Sequence, residues 1–101
     1  MYNKGNLAKL KKMDGLAPDV MKAFWAFDKA ALADGAIPVR YKELIAVAVA
    51  HTTQCPYCLD IHGANARKAG ATEAELVEAA LVAAALRAGA AVTHATHVLT
   101  D

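Results

Sequence analysis

The spacing of apolar residues along the chain predicts helices. In residues 19–34 an apolar side chain recurs every three or four positions, the spacing of one α-helical face. Residues 44–50 leave almost no polar face, so the helix predicted for residues 38–53 should lie at the centre of the fold. The β-branched residues of that stretch would also suit a strand, but its length favours a helix.

Proline and glycine set the predicted boundaries of the next elements. Pro18 suits the first turn of a helix, where its missing N–H group costs little. Gly35 is expected to end that helix in the left-handed conformation. Pro56 suits the start of another helix, over residues 56–69, and Gly70 is expected to end it.

The C-terminal part of the chain begins with a capping motif. Thr72 and Glu75 form a capping box that starts a helix reaching to about residue 88. Gly89 is expected to break the chain before a last helix at residues 90–99. The predicted class is therefore all-α, with five or six short helices. Residues 1–101 are expected to form one domain, with residues 1–17 as a short helix or an arm.

Composition adds an expectation about assembly. The chain has 101 residues, a net charge of +1 and 56% hydrophobic residues, many of them alanine. No block of like charge indicates a nucleic-acid partner. A chain this small has too little interior to bury so much apolar surface, so part of that surface is expected in the interface of a homo-oligomer.

The longest apolar runs, residues 44–50 and 79–86, are too short to cross a bilayer. The first residues lack the apolar core of a signal peptide. These observations predict a cytoplasmic protein without a membrane partner. In that compartment a C-x-x-C pair is catalytic or metal-binding more often than structural.

The candidate chemistry lies in residues 43–62, which hold both cysteines of the chain. If Pro56 is the first helical residue, Cys55 is the N-cap and Cys58 lies in the first turn. The unpaired N–H groups and the helix dipole both favour thiolate over thiol at that position. The two-residue spacer also allows a reversible disulfide.

A base and an acid accompany the cysteines. His62 follows Cys58 by four residues, one turn along the same face, and can take the thiol proton. Glu43 would be too far from Cys55 along one straight helix. A helical hairpin that reverses near Gln54 would bring Glu43 beside His62, where a carboxylate orients the imidazole and stabilises its charged form.

Other interpretations of these residues stay open. The two cysteines could be buried thiols, and Glu43 alone could be a solvated acid at a helix start. His51 stands four residues before Cys55 and could serve that sulfur, although a structural role is favoured for it. Tyr57 could pack or assist the site through its hydroxyl. Cys55, Cys58, His62 and His51 could also bind zinc in a non-catalytic interaction module, although all four lie within twelve residues.

The chain resembles a known family. Glu43, followed by Cys55-x-Tyr57-Cys58-x-x-x-His62 in an alanine-rich helical chain, resembles the AhpD-like branch of the carboxymuconolactone decarboxylase family. The resemblance covers roughly residues 20–100. Tyr57 stands where the best-known members carry a histidine. The decarboxylase branch generally lacks the cysteine pair.

The resemblance implies a helical fold with the motif at a helix start, and assembly into trimers or hexamers. It implies a peroxidase or protein-disulfide reductase that uses the dithiol and no cofactor, with a lipoylated protein or a peroxiredoxin as partner. Glu43, Cys55, Cys58 and His62 match the family's proton-relay and redox residues. A general base contributes more than a helix dipole, so Cys58 is predicted as the attacking thiolate and Cys55 as the resolving thiol.

Overall fold

A computed structural model describes residues 2–101 as five α-helices and two 3-10 turns, with no strand among them. Met1 lies outside the described residues. The all-α class predicted from the sequence is confirmed. The turns are Lys4–Lys9 and Ala95–Val98, and the helices are α1 (Leu10–Leu16), α2 (Pro18–Leu32), α3 (Val39–Thr53), α4 (Pro56–Lys68) and α5 (Glu73–His94).

Helix α3 is the central element, as its apolar sequence predicts. It packs against both α4 and α5. Three of its residues are buried: Glu43, Val47 and Ala50. They are spaced by four and three positions, so they lie along one face of the helix. That face therefore carries a buried carboxylate in line with two apolar side chains.

The reversal expected near Gln54 is present. Gln54 has φ 54° and ψ 48°, the left-handed conformation, directly after the last residue of α3. The carbonyl of Ala50 accepts hydrogen bonds from the N–H groups of Gln54 and Cys55. These bonds satisfy the end of α3 and turn the chain back at once. Helices α3 and α4 thus form a tight hairpin.

Gly70 follows the end of α4 with φ 98°, a positive value that glycine adopts readily, so the expectation that Gly70 ends this helix is met. The expectation for Gly35 is wrong. Helix α2 stops earlier, and Ala33 caps it in an extended conformation with ψ 157°. Lys42 explains the difference, since its Nζ donates to the carbonyls of Ala31 and Ala33 at 2.9 and 2.6 Å. A lysine from the next helix, rather than a left-handed glycine, satisfies the end of α2.

The predicted break at Gly89 is also wrong. Helix α5 runs without interruption from Glu73 to His94, and only a 3-10 turn follows it. A glycine costs a helix about 1 kcal/mol relative to alanine, which is a weakness rather than a stop. The capping box is present in full, with Thr72 and Glu75 each bonded to the other's backbone, and alanines surround Gly89.

This continuous helix changes the conclusion about membrane spans. Each apolar run of the sequence is too short to cross a bilayer, but the helical stretch Glu73–Val98 has 26 residues and is long and apolar enough to do so by length and composition. Arg87 lies inside it, and its Nη1 donates to the carbonyl of Thr52 in α3 at 2.7 Å. A charge at that depth is costly in lipid, and here it joins two helices of the same chain.

The chain is elongated for its length. Its radius of gyration is 16.9 Å and its longest extent is 56 Å. A compact domain of this size has a radius of gyration of roughly 13 Å. Among residues 2–101 the buried apolar positions are few and small, and α5 contributes only Ala83. Much apolar surface therefore remains exposed on the single chain.

Candidate active site

The cysteine pair lies at the N-terminus of α4, as predicted. Cys55 is the N-cap, with extended backbone at φ −102° and ψ 96°, and its Sγ accepts a hydrogen bond from the N–H of Cys58 at 3.2 Å. Pro56 occupies the first helical position. The two sulfurs are joined in a disulfide across a Cα–Cα distance of 5.3 Å. The structure is thus that of the oxidised form.

The α3–α4 hairpin brings Glu43 to His62. The Oε2 atom of Glu43 lies 2.7 Å from Nδ1 of His62. A carboxylate can only accept a hydrogen bond, so in the neutral imidazole Nδ1 carries the proton and Nε2 keeps its lone pair. The contact expected from the sequence is present, and it leaves one ring nitrogen able to accept a proton.

Burial gives this contact its weight. Glu43 is 5% exposed and is the only charged residue buried among residues 2–101. The side chain of His62 is 18% exposed. A carboxylate withdrawn from water is costly unless it is paired and hydrogen-bonded, and His62 supplies that partner. A buried acid paired with a base that lies one helical turn from Cys58 marks a candidate active site.

Two cavities reach Cys58 and His62. The larger, of about 490 Å³, and the smaller, of about 290 Å³, are both lined by Cys58 and His62. Cys55 lines neither of them. Of the two cysteines, only Cys58 is therefore accessible to a small molecule in either of these two cavities.

Tyr57 lies between the cysteines and also lines the larger cavity. Its hydroxyl accepts hydrogen bonds from Nδ2 of Asn6 at 3.0 Å and from the backbone N–H of Asn3 at 3.1 Å. These donors, first the Asn6 side chain and then the Asn3 backbone, lower the pKa of Tyr57. Its ring also packs on that of Tyr2, at 4.9 Å between centroids.

The comparison with known proteins identifies the family. Residues 18–101 match the family model of the carboxymuconolactone decarboxylase family. The chain belongs to this family. Protein 4 of the cox locus of Paracoccus denitrificans is 54% identical over 77 residues, which are 76% of this chain and 69% of that protein. An alkyl hydroperoxide reductase of Mycobacterium tuberculosis is 39% identical over 59 residues, 56% of this chain but 17% of that protein.

Solved structures of similar proteins share the fold. A protein of Methanobacterium thermoautotrophicum is 38% identical with a TM-score of 0.81, over 85% of this chain and 97% of that one. A carboxymuconolactone decarboxylase family protein of Legionella pneumophila, in its apo form, is 36% identical with a TM-score of 0.77, over 82% of this chain and 74% of that one. The membership predicted from the cysteine motif is confirmed.

In this family member the remaining predicted residue, His51, is not drawn into the site. It lies on the last turn of α3 with an exposed side chain and lines neither cavity. The described part of the chain holds no group of three or more potential metal-ligating side chains. The zinc interpretation would therefore need the disulfide reduced and His51 redirected.

Sequence reasoning missed part of the larger cavity. Asn65 lines it from α4, three residues after His62 on the same helix face. That spacing was available in the sequence. Leu7 and Leu10 line it from the N-terminal segment, outside the family match. Only their three-residue spacing hinted at a shared role, because nothing local indicates which helix they will cover.

Proposed function

We propose that this carboxymuconolactone decarboxylase family protein is a thiol-dependent oxidoreductase that reduces peroxides or the disulfides of a partner. One observation carries the proposal. Cys58, paired with Cys55 at the start of α4, shares both cavities with an imidazole that Glu43 holds by one nitrogen. The similarity to an alkyl hydroperoxide reductase of Mycobacterium tuberculosis supports the same class of chemistry.

The reaction begins from the reduced pair. His62 takes the thiol proton of Cys58, and the thiolate attacks the terminal oxygen of a peroxide. The O–O bond breaks, the alcohol leaves with the proton returned by His62, and Cys58 becomes a sulfenic acid. The thiol of Cys55 then attacks that sulfur, water leaves, and the disulfide forms. The sulfur pair has given two electrons to the peroxide.

With a disulfide substrate, the same thiolate attacks one of its sulfurs and a mixed disulfide forms. Cys55 then displaces the reduced partner, and the same Cys55–Cys58 disulfide results. Either cycle needs an external dithiol to restore the thiols. A lipoylated protein or a peroxiredoxin is the proposed partner whose disulfide is reduced. Such couples operate in a reducing compartment, which agrees with the predicted cytoplasmic location.

The working unit is proposed to be a homo-oligomer, a trimer or hexamer. The radius of gyration of 16.9 Å exceeds that of a compact domain of this length. Helix α5 leaves large apolar side chains in water: Val77, Leu81, Val82, Leu86 and Val92. Helical contacts with further copies of the chain would cover them.

The proposal is tested by single-turnover oxidation. Fully reduced protein is mixed with one equivalent of cumene hydroperoxide or of oxidised lipoamide, and free thiols are counted with a chromogenic reagent. Both thiols should disappear together, and mass spectrometry should find the Cys55–Cys58 disulfide. A double Cys→Ser variant is the control. Persistence of both thiols with both oxidants contradicts the proposal, and stoichiometric zinc in the purified protein would favour the metal-binding alternative.

A further inference from the structure

One wall of the larger cavity comes from a part of the chain that the family match does not include. The N-terminal arm, defined as residues 2–16, contributes three side chains to that wall: Asn6, Leu7 and Leu10. The rest of the wall is mainly apolar and comes from α2 and α4, chiefly Phe24, Trp25, Leu32 and Ile61. The arm therefore forms one side of a mainly apolar space that Cys58 also lines.

Two polar anchors hold the arm in that position. At its start, the Tyr57 hydroxyl accepts from Asn3 and Asn6. Near its end, Nε1 of Trp25 donates to Oδ1 of Asp14 at 2.7 Å. The first anchor ties the arm to α4, between the two cysteines, and the second ties it to α2. Leu7 and Leu10 lie between the anchors, so their position over the cavity is fixed from both sides.

We propose that Leu7 and Leu10 are specificity-determining residues that select apolar organic hydroperoxides over hydrogen peroxide at Cys58. The inference rests on the proposed peroxidase function. A volume of about 490 Å³ is in the range of small-molecule sites, and apolar walls stabilise an apolar substituent by removing its surface from water. Hydrogen peroxide has no such substituent and gains nothing from the leucines.

The smaller cavity provides the internal comparison. It also reaches Cys58 and His62, but its lining comes from α2, α3 and α4 and includes no residue of the arm. Hydrogen peroxide can thus reach the sulfur without passing the leucines. Both oxidants undergo the same two-electron step, in which the O–O bond breaks and an alcohol or water leaves. The arm therefore changes the relative rates of two substrates and not the chemistry.

The kinetic test compares two leucines of the same helix. Leu10 lines the cavity, whereas Leu16, at the other end of α1, does not line it and is exposed. Single-turnover rate constants are measured with cumene hydroperoxide and with hydrogen peroxide. In Leu10→Asn the ratio of the two constants should fall about tenfold, while Leu16→Asn keeps the wild-type ratio. An unchanged ratio in Leu10→Asn overturns the proposal.

A binding test needs no turnover. Trp25 is the only tryptophan of the chain and lines the cavity, so its fluorescence reports occupancy. Cumyl alcohol, the unreactive product of cumene hydroperoxide, is titrated into the oxidised protein. Its affinity should fall about tenfold in Leu10→Asn and stay near wild type in the volume-conserving Leu10→Met. Tyr57→Phe removes the anchoring oxygen, keeps both leucines and should also weaken binding.

The two readouts separate the two claims. Saturable binding of cumyl alcohol that depends on Leu10, in a protein that reduces neither a peroxide nor oxidised lipoamide, keeps the apolar site formed by the arm and overturns the proposed function. Peroxide reduction without saturable binding of the alcohol overturns the role of the arm and keeps the function. A Leu10→Asn protein that has lost its helical circular dichroism is replaced by Tyr57→Phe, and unchanged affinity in that variant overturns the proposal.

Discussion

The α3–α4 hairpin and helix α5 distribute polarity in opposite ways. The hairpin buries a charged residue, Glu43, whereas α5 buries only Ala83 and exposes large apolar side chains such as Val82 and Leu86. Hydrophobicity alone would reverse both assignments. The hairpin shows that a costly burial is tolerated where the carboxylate has a hydrogen-bond partner. The exposed apolar face of α5 shows surface that a single chain does not cover.

The two regions also differ in whether one chain is enough to complete their contacts. The contacts between Glu43 and His62 and between the two cysteines all lie inside one chain. The exposed apolar face of α5 can be covered only by something outside it. We therefore expect the redox chemistry to depend on the hairpin and the assembly to depend on α5.

The largest effect is expected at the sulfurs. Cys58→Ser should lower turnover at least about 10³-fold, because the attacking thiolate is lost. Cys55→Ser should instead accumulate a sulfenic acid or mixed disulfide on Cys58, since the resolving thiol is gone. Mass spectrometry after one equivalent of oxidant distinguishes the two variants. An adduct on Cys55 in the Cys58→Ser protein, with none on Cys58 in the other variant, would reverse the assigned roles.

The next effect concerns the buried acid. Glu43→Gln keeps the size of the side chain but removes the charge that faces His62, so the rate of Cys58 oxidation should fall about 10²-fold. Glu78→Gln is the matched control, because Glu78 is an exposed acid on α5. Rates are measured by stopped flow, with circular dichroism to verify the fold. Equal rates in both variants would mean that Glu43 has only a structural role.

The assembly side is tested on α5. Val82→Asp places a charge on the exposed apolar face and should shift the protein from oligomer to monomer in light scattering, since a buried unpaired charge is costly. Thr100→Asp adds the same charge beyond the helices and should leave the oligomer intact. The Cys55–Cys58 disulfide lies within one chain and should still form in the monomer. A wild-type protein that is already monomeric at micromolar concentration would refute the assembly proposal.

The smallest effect is expected at the start of α5. The backbone N–H of Thr72 and, secondly, the Arg40 side chain hold the pKa of Glu75 below its ordinary value of 4.5. Because the pKa is lower in the folded state, ionised Glu75 stabilises the fold fully above its ordinary pKa of 4.5. This stabilisation is lost as the pH falls through the folded-state pKa. The deficit in unfolding free energy of Glu75→Gln should therefore shrink on acidification from pH 6 to pH 3.

Urea unfolding at fixed protein concentration measures this deficit, because oligomers change stability with concentration. Glu73→Gln, in the same first turn, is the control for loss of a negative charge near the helix N-terminus. A deficit of Glu75→Gln that stays constant across this pH range would show that the capping box does not depend on the charge of Glu75.

The sequence by itself determined the local features, because their causes lie within a few residues. Spacing and backbone preference predicted the helical class and the capping box of Thr72 and Glu75. They also predicted that Cys55 is an N-cap and that His62 lies one helical turn after Cys58. The local rules failed where a distant group intervened. Lys42 ended α2 in place of Gly35, and the weak cost of a glycine let α5 continue through residue 89.

Only the tertiary structure decided the depth and the surroundings of the site. The hairpin expected from the sequence predicted a contact between Glu43 and His62. The packing of α3 against α4 and α5 determined its 2.7 Å distance and the burial of the carboxylate. The sequence did not predict that the N-terminal arm packs on Tyr57. Contacts such as that between Asn6 and Tyr57 join residues 51 positions apart, and no local pattern records which distant surface an arm will cover.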